Sequence, residues 1–150
     1  MSADITMNWS AYIDELKIND DISQLITQYL NSEDWYNLSR KGFLSYEFIK
    51  CYSNNLMWHY LSSNNNVDLK VIEKFSNKLI WSEVSKRNDL TLEFIRKYKN
   101  KLDWYFITQI KYLPMEFLEE HFHYVNWLIL SFRTNLHLKF VQKYKYMALW

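Results

Sequence analysis

Glycine and proline occur once each in 150 residues, as Gly42 and Pro114. Antiparallel hairpins and doubly wound sheets use glycine in tight turns and phosphate-binding loops. A chain with a single glycine points instead to helices joined by short polar links. Cysteine is equally scarce: Cys51, alone, excludes an internal disulfide and fits a reducing compartment. Long apolar runs are missing too. The most apolar stretch, residues 125–132, is interrupted by Asn126 and is too short to cross a bilayer. The first fifteen residues include Asp4, Asp14 and Glu15 and lack the apolar segment of a secretory signal. An intracellular protein that is not secreted is expected.

The apolar content of 49% is that of a folded chain. Net charge is +1 but unevenly spread: residues 1–75 hold six Lys/Arg against ten Asp/Glu, and residues 76–150 twelve against seven. An acidic half followed by a basic half can steer a partner or favour head-to-tail self-association; it is also what drift on solvated faces produces.

The dominant feature is periodic. Trp35, Trp58, Trp81, Trp104, Trp127 and Trp150 follow one another at a constant 23 residues, and self-similarity at a fixed period marks a repeat architecture. Cutting at each tryptophan gives five gapless units, 35–57, 58–80, 81–103, 104–126 and 127–149, and the start of a sixth. Counting from the tryptophan, position 3 is aliphatic (Leu38, Leu61, Val84, Ile107, Leu130) and position 4 always a hydroxyl (Ser39, Ser62, Ser85, Thr108, Ser131). Position 9 is aliphatic again (Leu44, Val67, Leu90, Leu113, Leu136). Positions 13, 14, 17 and 21 are apolar in nearly every unit, His121 being the exception at 17, and that spacing makes one face of a helix.

Ser45, Asp68, Thr91 and Pro114 at position 10 suit the start of that helix, with the residues before and four after it as hydrophobic staples. Asp34, Asp103 and Asn126 likewise read as N-caps of a second helix opening at the tryptophan. Glu47, Glu93 and Glu116 fall in a first helical turn, where an acid suits the dipole. The predicted unit is a short helix of about two turns and a longer one of about three. Hairpins of this size are marginal alone and gain a continuous core by stacking. The expected fold is an all-α solenoid, with Trp35, Trp58, Trp81, Trp104 and Trp127 as its structural core. Residues 1–34 are read as a diverged N-terminal cap, its Leu25, Ile26 and Tyr29 matching long-helix positions and its Asp20, Asp21, Glu33 and Asp34 keeping an end soluble. Residues 35–150 form one continuous domain, with Tyr146, Met147, Leu149 and Trp150 at an apolar edge open to dimerisation or a partner.

No catalytic constellation, cofactor motif or metal motif is legible: there is no glycine-rich phosphate loop and no paired-cysteine pattern. His121 and His123 are two apart, which sends them to different helix faces, and Cys51 reads as a structural thiol with no histidine nearby in sequence to activate it. A non-enzymatic protein is expected. Function is sought in residues that do not recur. Tyr36, Tyr60 and Tyr105 lie at varying positions of the short helix and read either as a recognition surface or as padding for the next layer. Arg40, Lys41, Lys86 and Arg87, with Arg133, are expected along one edge. With Lys97, Lys99 and Lys101 they make nucleic-acid binding a further option.

The run Leu90 to Trp104, LTLEFIRKYKNKLDW, resembles degenerate short helical repeats of uncharacterised proteins from nucleocytoplasmic large DNA viruses. The resemblance spans residues 35–150, and abundant Phe, Tyr, Met, Ile, Asn and Lys agree with an AT-rich source. It implies a viral helical-repeat protein acting in the host cytoplasm or in the virion. The reading is an interaction scaffold for another protein, host or viral. The alternatives are a structural virion component associating through its ends, or a nucleic-acid binder using the basic C-terminal half.

Overall fold

The computed structural model describes residues 20–134 and 136–147, and every regular element among them is helical. In chain order these are α1 (Asp20–Tyr29), α2 (Ser32–Lys41), α3 (Tyr46–Cys51), α4 (Trp58–Ser63), α5 (Leu69–Glu73), α6 (Trp81–Val84), α7 (Leu92–Tyr98), α8 (Trp104–Gln109), α9 (Met115–Glu120), α10 (Trp127–Ser131) and α11 (Leu138–Tyr144). The protein is all-α. Its packing forms two compact units, one ending at Glu83 and one beginning at Val84. Within the first, α2 lies against α4; within the second, α8 lies against α10. In both pairs the helices that open successive repeats are neighbours.

The caps are where the repeat places them. Ser45 and Thr91 accept from the N–H groups of Phe48 and Phe94, and Asp68 accepts from that of Lys70. Asp103 and Asn126 accept from the N–H groups of Tyr105 and Ile129. Each such cap stabilises its helix by about 0.5–2 kcal/mol. Pro114 and His137 hold the same position without a side-chain bond. Asp34 departs from expectation. Asn31 caps α2 three residues earlier, accepting from Glu33 and Asp34 N–H, and the Asp34 carboxylate accepts from Asn31 N–H at 2.9 Å. Asp34 is thus the third helical residue in a capping box.

The second helix of each unit is shorter than its apolar spacing suggests. It runs five to seven residues, after which the chain continues through turns closed by i→i+3 bonds, such as Phe75 N–H to Ile72 O and Lys78 N–H to Phe75 O. These tighter turns carry the same apolar stripe onward, so Leu56, Leu79, Leu102 and Val125 are buried although the helix has ended. The staple aliphatics Leu44, Ile49, Val67, Ile72, Leu90, Ile95, Leu113 and Leu118 are all buried.

The hydroxyl at position 4 links the parts. Ser39 Oγ donates to Trp35 O at 2.7 Å and accepts from Met57 N–H at 2.9 Å. Ser62 Oγ repeats this with Trp58 O at 2.6 Å and Ile80 N–H at 3.0 Å. Ser85 Oγ accepts from Asp103 N–H at 2.8 Å and Thr108 Oγ1 from Asn126 N–H at 3.1 Å. All four are buried. Each clip joins the short helix to the residue just before the next tryptophan.

Trp35 and Trp104 are buried; Trp58, Trp81 and Trp127 are half-buried. The tryptophans are packing groups flanked by the aromatics of the second helix: Trp35 by Phe48 and Tyr52, Trp127 by Phe140 and Tyr144. Trp58 Nε1 donates to Ser53 O and Trp104 Nε1 to Lys99 O, at 2.9 and 2.8 Å. His121, the exception at position 17, is buried with its ring stacked on Trp104 and Phe117. Its Nδ1 lies 3.0 Å from Phe117 O, so Nδ1 carries the proton and donates.

At the N-terminal end, Leu25 and Tyr29 of α1 are exposed and Ile26 is half-buried, so the match of Leu25 and Tyr29 to core positions fails. Tyr146 and Met147 are exposed as expected. Residues 1–19, including the rest of the expected N-terminal cap, and 148–150, with Leu149 and Trp150, lie outside the described residues.

Truncating Trp104 to Ala removes a ring at the centre of a stacked group and is expected to cost ~3–5 kcal/mol. Ser62→Ala leaves the Ile80 N–H without its acceptor and is expected to cost ~1–3 kcal/mol. Urea unfolding followed by circular dichroism measures both. Near-wild-type midpoints would contradict the core role of the ring or of the clip.

Candidate interaction surface

In the N-terminal unit three of the singled-out residues meet. Tyr36 on α2 and Tyr60 on α4 pack edge to face, with ring centres 4.7 Å apart and planes at 84°. Arg40, one turn after Tyr36, donates Nη1 to its hydroxyl at 3.0 Å and holds its guanidinium 5.8 Å from the ring. His59, whose side chain is largely exposed, packs edge to face against Tyr60, and its Nε2 lies 3.9 Å from Glu83 Oε1. The result is a half-open aromatic patch with a cation at one end and an imidazole at the other. Lys41 is exposed, and its carbonyl accepts from Asn66 Nδ2 at 2.7 Å.

In the C-terminal unit Tyr105 is exposed and meets Phe106 edge to face at 5.2 Å, while Lys86 Nζ sits 5.3 Å from the Phe106 ring centre. Arg87 does not join an exposed edge. Its side chain is buried, and Nε and Nη2 bind Asp89 Oδ1 and Oδ2 at 2.8 and 2.6 Å. Burying a guanidinium requires such a fork-on-fork partner, and Asp89 supplies it two residues on. Arg133 is half-buried and donates Nη2 to Lys111 O at 2.9 Å; burial pushes its pKa down. Lys97 and Lys101 lie over the Tyr98 ring at 5.3 and 6.0 Å, and Lys99 over Tyr124 at 5.8 Å. These cations are distributed among aromatic rings and do not continue the edge begun by Lys86.

Sequence reasoning passed over a set of lacing residues at positions 6 to 8. Asn64 Nδ2 donates to Gly42 O at 2.9 Å and to Ser39 O at 3.2 Å, one repeat back. Tyr112 OH donates to Leu90 O at 3.0 Å; burial, and then the nearby Asp89 charge, raise the Tyr112 pKa. Ile110 stands where Asn64 and Arg133 stand in their repeats. The signal was available: position 6 is polar or charged in every unit except the fourth. A groove of about 360 Å³ opens beside Ile110, between Ser85–Asn88 and the residues from Phe106 to Tyr112.

Among the described residues no three His, Cys, Asp or Glu side chains group as metal ligands, and no helix is long and apolar enough to cross a membrane. Cys51, read from the sequence as a structural thiol, is exposed at the end of α3. Compared with protein-family models, with curated proteins and with solved structures, the chain matches none.

Arg96 and Glu120, one repeat apart, form a two-pronged pair, with Nη2 2.9 Å from Oε2 and Nε 3.2 Å from both carboxylate oxygens. The hydrogen bond from Arg96 holds the Glu120 carboxyl below its ordinary value, and the bond in return raises Arg96. Since folding lowers Glu120, its contribution to stability is present above the ordinary glutamate pKa and is lost as pH falls through the lowered folded value. Between neutral pH and pH ~3 the wild-type urea midpoint is expected to fall further than that of Glu120→Gln. Equal falls would show that the pair contributes nothing to folding.

Proposed function

We propose that the chain is a non-enzymatic helical-repeat protein that serves as a scaffold for another protein, viral or host. The supporting observation is a division of labour. Recurring residues are consumed internally: tryptophans in aromatic packing, hydroxyls in clips, aliphatics in staples. Residues that do not recur gather as the patch of Tyr36, Arg40, His59 and Tyr60. Rigid tyrosine rings with an arginine beside them are what concentrates binding energy at protein interfaces. The viral part rests on the likeness of Leu90–Trp104 to the repeats of large DNA viruses. Host cytoplasm or virion is the corresponding setting.

A second reading, association through the C-terminal edge as in a structural component, draws on a different observation. Leu136 and Val141 are only half-buried although their counterparts in four earlier repeats are buried, and Leu138 is 69% exposed. Light scattering on an eluting column decides it: a concentration-independent monomer ends that reading.

The scaffold reading is tested by affinity purification from the cells in which the protein is made, comparing wild type with Tyr36→Ala/Arg40→Glu/Tyr60→Ala. A protein retained by the wild type and lost by the variant, at unchanged melting temperature, is expected. Identical retained proteins would overturn the patch as the binding surface.

A further inference from the structure

We propose that the face made by Tyr46, Phe75 and Trp58, with Lys50, Lys74 and Lys78 over it, is a docking surface for an acidic segment of a partner protein. This rests on the scaffold reading and adds to it a second surface and a partner chemistry.

A ladder of side chains links successive repeats, and at one junction it lacks its anion. Counting from the tryptophan, position 15 of one repeat meets position 16 of the next. Between the third and fourth repeats the rung is Arg96 with Glu120, Nη2 to Oε2 at 2.9 Å. Between the fourth and fifth it is Glu119 with Lys143, at 3.2 Å. The order of the two residues is reversed, but the charges are opposite in both. Between the first and second repeats the same two positions hold Lys50 and Lys74. Both ammonium groups lean over a single ring, Tyr46, at 6.0 and 4.4 Å from its centre. A ring face attracts a cation without neutralising it. Lys50 lies 3.9 Å from Glu47 in its own helix, with both side chains 62% exposed, and a surface pair of that kind adds little. Lys74 has no carboxylate partner among the described residues.

Lys78 extends the cationic face. Its Nζ lies 5.5 Å from the Trp58 ring centre and donates to Ser53 Oγ at 3.0 Å. Phe75 joins the two ends, its ring 5.4 Å from Tyr46 and 5.7 Å from Trp58. The three rings are half-buried and the three lysines exposed. Among the described residues Glu47 is the one carboxylate paired with any of these lysines.

The chain itself shows what completes such a rung: at the other two junctions it is a glutamate carboxylate. The complement here is therefore Asp or Glu side chains brought by a partner, one to the Lys50–Lys74 pair and one to Lys78. Single-stranded nucleic acid is the rival, since lysines among aromatic rings also hold bases. It fits less well. Lys74 and Lys78 stand over the Tyr46 and Trp58 faces on which bases would stack, and those rings are tilted from Phe75 by 32° and 50°. A phosphate backbone also calls for a longer basic track than three lysines provide.

The test uses the full chain and fluorescence anisotropy with three labelled probes. These are a peptide rich in Glu and Asp, its Gln/Asn counterpart, and a single-stranded oligonucleotide. The acidic peptide is expected to bind at least ~10-fold tighter than the other two. Lys74→Glu gives the second repeat the residue that Glu120 provides in the fourth, and so completes the rung from within the chain. It is expected to weaken the acidic peptide at least ~10-fold without lowering the melting temperature. Lys50→Gln/Lys78→Gln is expected to weaken it in the same direction and carries the test should Lys74→Glu fail to fold. Lys139→Glu, at an exposed position of the last repeat, makes the same change in net charge and is expected to leave binding as it is. No binding of the acidic peptide, or tighter binding of the oligonucleotide, overturns the surface. Equal weakening by Lys139→Glu and Lys74→Glu overturns it too, since net charge alone would then govern binding. Acidic-peptide binding that survives the changes at Lys50, Lys74 and Lys78 also overturns the surface, yet leaves the scaffold reading intact, since a peptide is then held elsewhere.

Discussion

A buried hydroxyl oxygen, four residues after the tryptophan, holds each of the first four repeats in register. In Ser39 and Ser62 it donates to the carbonyl one turn back and accepts the N–H of the residue preceding the next tryptophan. The N–H, at the start of the next helix, would otherwise be an orphan, and a buried orphan costs more than an ordinary bond gains. The geometry explains why the period does not drift. Eighteen residues separate the hydroxyl from the N–H it clips, and five more lead from that N–H through the next tryptophan to the next hydroxyl. An inserted residue in either segment would break this register and leave an N–H without its acceptor. Serine and threonine serve equally, as Thr108 shows, because the position asks only for a hydroxyl.

The aromatic packing depends on that register. Trp35, Phe48 and Tyr52 pack mutually, and Trp127, Phe140 and Tyr144 repeat the arrangement. The trio tolerates changes in polarity where the local partner allows. His121 replaces a tyrosine because its Nδ1 proton finds the Phe117 carbonyl. Tyr52 carries a buried hydroxyl with no partner, and Phe75 holds the equivalent place against Trp58 with no hydroxyl at all. Ring area is what this position uses.

Local chemistry was legible in the sequence; chemistry between residues far apart in the chain was not. Caps at Ser45, Asp68, Thr91, Asp103 and Asn126 could be read because a cap and its N–H lie two or three residues apart. Asp34 was misplaced because Asn31, a better-positioned acceptor, lies just outside the tryptophan-based frame. Helix length was overread because i→i+3 turns keep nearly the same apolar face as an α-helix. The hydroxyl column was visible as a pattern, yet its partner lies eighteen residues away and only packing reveals it. The same holds at the surface. Tyr36 and Tyr60 were found as variable aromatics, whereas Arg87 was taken for an edge cation because burial of a guanidinium is decided by three-dimensional neighbours, with Asp89 the only local hint. Asn64, Tyr112 and Ile110 matter through what lies one repeat behind them.

Clip donor and clip acceptor always fall between one tryptophan and the next: Ser39 with Met57, Ser62 with Ile80, Ser85 with Asp103, Thr108 with Asn126. Each of these four units therefore closes its own loop, and cutting the chain at a tryptophan severs none of the four clips. A unit is in this sense modular, since copying or deleting one whole 23-residue cassette conserves every clip, while a change of any other length strands at least one. Array length and surface character are then separable, because a cassette can be added for reach without redrawing the groove or the tyrosine patch carried by its neighbours.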